Sequence, residues 1–176
     1  MISAIEQIRN RARRLHRCAA AHEPRALKRL AELPEFRNRA EAEWLETLQR
    51  KHCFGVLARE LGFRHWAHAK TVLSGELPPC GDFGTLLHVR GCSGFLNQWF
   101  ADYPEAKRAR AVHDGFLLAY RTQYLVVERD YIDTLGLEST DLGWRELGRD
   151  WLAPSGVAAR SRLYATLVAR VAEVES

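Results

Sequence analysis

The spacing of apolar residues changes at one point in this chain, and that change constrains the fold more than any other feature. Before residues 74–81, apolar side chains recur at helical steps of three and four, which indicates amphipathic helices. After them, runs dense in aromatic and β-branched residues indicate strands. The segment between, with its glycines and paired prolines, is typical of a linker. The order of helices, then strands interleaved with a helix, then helices predicts an α+β fold.

Four helices are predicted before the linker. The first begins at a capping box of Ser3 and Glu6 and continues to about residue 20. Others are predicted for 24–33, for a stretch that begins near residue 40, and for 66–73. The pattern leaves two alternatives for the stretch from residue 40, which either continues to Leu61 or breaks near Gly55.

After the linker, the pattern predicts the following elements: strands at 85–90 and 95–100 joined by a turn at 91–94, a helix at 102–112, extended runs at 116–120 and 124–128, and helices at 130–135, across Trp144 and Leu147, and at 157–174. We therefore expect a helical module at 1–75, a linker at 76–84 and an α+β domain at 85–176, separate or packed as one unit. The helical module would pack on a small, mainly antiparallel sheet flanked by helices.

Composition sets the broad class. The chain has 176 residues, 47% of them hydrophobic, which is enough for a sizeable core. No run of about 18 apolar residues is present, and the N-terminal residues lack the apolar centre of a signal peptide. Four cysteines at irregular spacing, with no Cys-x-x-Cys, are typical of free thiols. We expect a cytoplasmic protein that does not cross a membrane.

The basic residues are concentrated in the first half. Residues 1–80 carry 15 basic and 9 acidic side chains, against 11 and 13 in residues 81–176. Arg9, Arg13 and Arg17 recur every four residues along one face of the first helix. This face is either an ordinary solvated surface or a strip for phosphates, which would give non-specific nucleic-acid binding.

Residues 56–73 are predicted to form two short helices joined at Gly62, with Phe63 and Trp66 packing the corner. Such corners occur in DNA-binding proteins and also as plain structural elements. A DNA-reading helix needs several side chains that reach base edges, and here only Arg64 is near. The corner therefore gives little support to sequence-specific DNA binding.

One sequence motif resembles a helical module found in uncharacterised bacterial proteins, some of them fused to ankyrin repeats. The motif is Leu-Ala-Arg-Glu-Leu-Gly-Phe at residues 57–63, followed by Trp66 and Lys70. Residues 92–151 are similar to a companion segment of hypothetical bacterial proteins. The resemblance implies a helical fold for residues 10–73 and no established activity.

Two groups of residues could carry metal or thiol chemistry. His65 and His68 lie three apart and share a helix face, so they could hold a zinc-like metal, with His52 and Cys53 as further donors. Their alternative role is helix capping or surface exposure. Cys92, in the predicted turn, could be a nucleophile with His88 as its base, or a cysteine without chemistry. Together with Cys80, Cys92 and His88 could also supply three metal ligands.

A third group could bind a ligand. Asn97, Tyr120 and Arg121 are predicted on the sheet, and a guanidinium suits a carboxylate or a phosphate. The alternative is that Arg121 is only a charge at the edge of a strand. No P-loop, dinucleotide fingerprint or Gly-x-Ser-x-Gly motif is present.

Taken together, these patterns favour a binding or regulatory protein, whose small-molecule or protein ligand lies at the junction of helices and sheet. The alternatives are a small enzyme that uses the Cys92–His88 pair or a metal site, and non-specific nucleic-acid binding.

Overall fold

The structure is a computed structural model that describes residues 2–174. The described residues form these helices: α1 (Ala4–Ala20), α2 (Pro24–Ala31), α3 (Glu41–Glu46), α4 (Arg50–Glu60), α5 (Trp66–Leu73), α6 (Tyr103–Val112), α7 (Arg129–Leu135), α8 (Leu142–Glu146) and α9 (Val157–Val174). They also form three strands: β1 (Gln98–Phe100), β2 (Phe116–Tyr120) and β3 (Gln123–Val127). A small antiparallel sheet flanked by helices confirms the predicted α+β class.

Helix α1 begins as the sequence predicts, because the Ser3 hydroxyl accepts a hydrogen bond from the Glu6 amide at 3.2 Å. Its buried face carries small and branched apolar side chains, namely Ala4, Ile8, Ala12, Leu15 and Ala19. This face packs against α2, α4, α5 and α9, so the first and last helices of the described chain are in contact. The Gln7 side-chain amide joins them by donating to the Ala165 carbonyl at 3.0 Å.

The helical stretch that begins near residue 40 breaks after residue 46, so it neither continues unbroken to Leu61 nor breaks near Gly55. Helix α3 ends at Glu46, and α4 begins at Arg50. The Gln49 amide donates to Nδ1 of His52 at 2.9 Å, and this local bond marks the start of a new helix. Gly55 lies inside α4 and does not break it.

The sheet has the order β1-β3-β2, with β2 and β3 joined as a hairpin. Arg121 lies in the hairpin turn with φ +52°, so the two extended runs are separate strands that fold back on each other. Helix α6 covers one face of the sheet, where Tyr103 lies 5.7 Å from the ring of Tyr124. Since neighbouring residues of a strand face opposite sides, Trp99 and Tyr120 lie on the other face.

The predicted hairpin of residues 85–100 is wrong. Residues 85–89 form no strand, and Arg90–Gly94 form a short 3-10 helix. Leu86 and Leu87 are both buried, whereas a strand at a sheet surface would place one of two neighbours outside. Strand β1 pairs with β3 instead.

The corner between α4 and α5 holds a segment of the protein's own chain. Gly62 ends α4 with φ +83°, and its carbonyl accepts a hydrogen bond from the Thr85 amide at 3.1 Å. Nε2 of His68 lies 2.6 Å from the Asp82 carbonyl, and Arg64 pairs with the Asp82 carboxylate at 3.3 Å. The corner is therefore a docking point for residues 82–85.

The same segment also holds the tip of the hairpin. The Phe83 amide donates to the Arg121 carbonyl at 2.9 Å, and the Arg121 amide donates to the Gly84 carbonyl at 2.7 Å. Residues 82–85 thus tie the corner of the helices to the sheet. The domain boundaries at 75 and 85 stay a prediction. The end of the predicted linker is hydrogen-bonded both to the helical corner and to the hairpin of the sheet.

No helix among residues 2–174 combines the length and apolarity that are needed to cross a lipid bilayer.

Candidate functional site

An aromatic cluster surrounds His88 on the sheet face opposite α6. The centroid of the His88 ring lies 5.6 Å from that of Trp99 and 5.3 Å from that of Tyr120, both in edge-to-face geometry. The rings of Trp99 and Tyr120 are themselves 5.7 Å apart. Tyr131 lies behind His88, and Phe95 packs on Tyr131 at 5.7 Å. We call these five residues the His88 cluster.

Four elements bring the cluster together. Trp99 lies on β1 opposite Leu125 of β3, which in turn lies opposite Leu118 of β2. Tyr120 follows Leu118 by two residues, so it shares a face with Trp99, and the two rings meet across the intervening strand β3. Tyr131 comes from α7, and His88 follows the docked residues 82–85, whose hydrogen bonds to the hairpin tip place it over the sheet.

The cluster is buried at its base and open at its rim. Tyr131 is fully buried, His88 and Tyr120 are half-buried, and Trp99 is 42% exposed. Trp44, Trp144 and Trp151, in contrast, are all buried. Val89 and Leu96, which are close in sequence to members of the cluster, are also exposed. Exposed apolar side chains of this size are often used for binding.

Hydrogen bonds fix the base of the cluster. The Tyr131 hydroxyl donates to the Leu87 carbonyl at 2.9 Å, and Nδ1 of His88 lies 2.7 Å from the same hydroxyl. Burial lowers the pKa of His88, so its imidazole is neutral at pH 7. Burial also raises the pKa of the Tyr131 phenol, so Tyr131 keeps its proton.

Cys92 lies beneath the cluster and not in an exposed turn. It is fully buried, and its thiol lies against the Tyr131 hydroxyl. Burial raises the pKa of Cys92, although the sequence had suggested a turn that lowers it. The prediction of an exposed Cys92 is wrong because residues 90–94 form a 3-10 helix that turns Cys92 inward while the other four residues of that helix stay exposed.

The structure brings two of the predicted groups to one place. Tyr120 belongs to the His88 cluster, and the Arg121 guanidinium lies 5.6 Å from the centroid of the Tyr120 ring. Asn97 is half-buried, and its amide nitrogen donates to the Phe95 carbonyl at 3.2 Å. The ligand-binding candidates therefore adjoin His88, which sequence spacing alone did not indicate.

Trp99 and Tyr131 were not predicted as site residues. For Trp99 a signal exists, because strict alternation places it on the face of Phe95 and Asn97. For Tyr131 there is no local signal, since its contact with His88 spans 43 positions of sequence.

The predicted metal pair lies elsewhere and its nitrogens serve the fold. Nδ1 of His65 accepts from the His68 amide at 3.1 Å and caps α5. Nδ1 of His68 accepts from the Arg64 amide at 3.1 Å, and its Nε2 contacts Asp82. A metal at this pair would have to break these contacts. Within residues 2–174, no group of three or more His, Cys, Asp or Glu side chains is arranged to hold a metal ion.

The predicted nucleic-acid strip is exposed but partly paired. Arg9 and Arg13 both face the Glu6 carboxylate, at 3.2 and 3.7 Å. Arg17 lies on the same side of α1 and is exposed. Glu6, at the N-terminal end of the strip, reduces its attraction for phosphates.

An open groove of about 430 Å³ lies between α2 and the start of α3, and the following residues line it: His22, Pro24, Leu27, Lys28, Ala31 and Glu41. It offers one cation and one anion and no cluster of convergent polar groups. The His88 cluster is therefore the better candidate.

Comparison with protein-family models, with curated sequences and with solved structures yields no significant match for this chain. The resemblance to the bacterial helical module stays a prediction. Function must therefore be inferred from the geometry of the His88 cluster.

Proposed function

We propose that this is a ligand-binding protein whose site is the rim of the His88 cluster, beside the hairpin tip that residues 82–85 tie to the helical module. The observation that carries the proposal is a half-buried histidine in contact with two partly exposed aromatic rings. Binding sites for small molecules typically combine aromatic walls with a few polar groups that converge. Here the imidazole and the nearby guanidinium of Arg121 are those polar groups.

The ligand that suits this rim is a small molecule with a flat apolar body and an anionic group. The rings of Trp99 and Tyr120 offer faces and edges for stacking. Arg121 is exposed beside Tyr120, and its planar fork can pair with a carboxylate. We therefore favour aromatic carboxylates as the ligand class.

Two other functions receive less support. Thiol catalysis by Cys92 needs a thiolate that can be reached, and this thiol is buried with a raised pKa. Non-specific nucleic-acid binding needs a dense basic face, and Glu6 partly neutralises Arg9 and Arg13.

Tryptophan fluorescence tests the proposal directly. Titration with a panel of aromatic carboxylates, phenylacetate among them, should give a saturable change that comes from Trp99. The Trp99→Phe variant should lose this change. Trp66→Phe is the matched control, because Trp66 is also half-buried but stacks on Phe54, at 4.7 Å, outside the cluster.

His88→Ala and Arg121→Ala should each weaken binding by tenfold or more. A change that disappears in Trp66→Phe and persists in Trp99→Phe would refute the site. The absence of any saturable change across the panel would refute the function.

A further inference from the structure

We propose that His88 presents Nε2 as a hydrogen-bond acceptor, and that the site therefore selects aromatic ligands that carry a hydroxyl or N–H donor. This inference rests on the proposed function and specifies the chemistry of its ligand. It also gives Tyr131 a role as a positioning residue.

The single proton of the Tyr131 hydroxyl decides which nitrogen of His88 is protonated. A phenol has one proton to donate and two lone pairs that accept. The Leu87 carbonyl, 2.9 Å away, can only accept. In the described part of the chain no other donor reaches this buried carbonyl, and an unsatisfied buried acceptor is unfavourable by about 1–3 kcal/mol. The phenol proton therefore goes to Leu87.

The tautomer of His88 follows from this assignment. Nδ1 of His88 lies 2.7 Å from a hydroxyl oxygen whose only proton is already used. Nδ1 must then be the donor. A neutral imidazole carries one N–H, so Nε2 carries a free lone pair.

Cys92 completes the arrangement around Tyr131. Its buried thiol lies beside the same hydroxyl, and sulfur is a much weaker hydrogen-bond acceptor than the Leu87 carbonyl. The hydroxyl therefore gives its proton to Leu87. This bond opposes rotation of the phenol proton towards His88.

Nε2 of His88 lies among aromatic rings at a rim whose other polar group is the Arg121 guanidinium. Within residues 2–174, no protein group hydrogen-bonds to Nε2 of His88. The Trp99 and Tyr120 rings stand nearly perpendicular to the imidazole, at 73° and 75°. A flat ligand among these rings would offer its hydroxyl or N–H to Nε2.

The tautomer can be measured without any ligand. Long-range ¹⁵N correlation NMR of the imidazole rings distinguishes a protonated Nδ1 from a protonated Nε2, and a His88→Gln variant assigns the signal. We expect a protonated Nδ1 at His88. Tyr131→Phe should remove this preference, whereas Tyr120→Phe, which changes a tyrosine that contacts His88 through its ring, should keep it. An Nε2–H ring in the unaltered protein would overturn the inference.

A pair of probes tests the ligand class. 4-Hydroxyphenylacetate and phenylacetate share a ring and a carboxylate and differ in one hydroxyl. We expect the hydroxylated probe to bind about tenfold more tightly, a difference of about 1.4 kcal/mol, as one net hydrogen bond gives. The difference should shrink to less than threefold in Tyr131→Phe and persist in Tyr124→Phe, which removes a hydroxyl on the opposite face of the sheet.

The outcomes separate the two proposals. Equal affinity for the two probes, or an Nε2–H tautomer in a protein that binds them, overturns this inference and leaves the proposed function standing. No saturable binding of either probe overturns the proposed ligand class even where the Nδ1–H tautomer is found.

Discussion

Gly62 is the position at which one added methyl group should most disturb the link between the helices and the sheet. Its φ of +83° is unfavourable for any residue with a Cβ, by roughly 1–2 kcal/mol. An added Cβ would also lie 2.0 Å from Oγ1 of Thr85. Relief requires residues 82–85 to shift, which weakens the 3.1 Å bond from the Thr85 amide, about 1 kcal/mol. We expect Gly62→Ala to lower the free energy of unfolding by about 2–3 kcal/mol.

Urea denaturation measures this change, and the chain offers a matched control. Gly148 has φ +58° with no atom within 4 Å of an added Cβ, so Gly148→Ala carries only the backbone penalty, roughly 1–2 kcal/mol. In a Thr85→Ala background the penalty at Gly62 should fall towards that of Gly148. Equal losses for Gly62→Ala and Gly148→Ala would refute the claim that the corner is a docking point.

Three further predictions concern the burial of cysteine, histidine and arginine side chains. In native protein a thiol reagent should modify the exposed Cys80 quickly, whereas the buried Cys92 should react only after unfolding; fast labelling of Cys92 would contradict the burial. Burial lowers the pKa of His52 and His88 below the ordinary 6.5, so the unfolded chain binds more protons than the folded protein. Stability should therefore fall as the pH drops below about 6.5. Urea midpoints measured across this range should show the loss of stability, and the loss should be smaller in His88→Gln. Arg160→Lys should destabilise the fold by about 2–3 kcal/mol, because one ammonium cannot serve the three backbone carbonyls that the buried guanidinium bonds; an unchanged urea midpoint would contradict this.

Elements whose signals are local could be predicted from the sequence. Helix α1 has its cap at Ser3 and its apolar stripe within one stretch of chain, and α6 begins at Asp102, whose carboxylate accepts from the Glu105 amide at 2.9 Å. Helix α7 ends at Gly136, which adopts the left-handed conformation that the glycine suggests.

Elements fixed by distant partners could not be predicted in this way. Residues 85–90 have the composition of a strand, but hydrogen bonds at Gly84 and Thr85 hold the start of this segment against Arg121 and Gly62 instead of in a ladder. The break before Arg50 depends on one side-chain bond that competes with a continuous helix. Both outcomes were decided by specific contacts that apolar periodicity does not encode.

The candidate site shows the same division. The sequence indicated His88 as a catalytic base or a metal ligand, and Tyr120 and Arg121 as ligand-binding residues, in two unconnected groups. Their convergence depends on the pairing of β1 with β3 and on the docking of residues 82–85. Contacts between distant parts of the chain therefore bring these separately predicted residues together on one surface.

The contact between the first and last helices has a consequence for the kinetics of folding. Gln7 and Ala165 are 158 positions apart, so closing this contact requires most of the chain to be ordered or looped out. Such long-range contacts slow folding relative to a purely local helical bundle. If α9 docks after the transition state, Gln7→Ala should accelerate unfolding and leave the refolding rate almost unchanged. During synthesis, the apolar face of α1 then stays partly uncovered until α9 has left the ribosome.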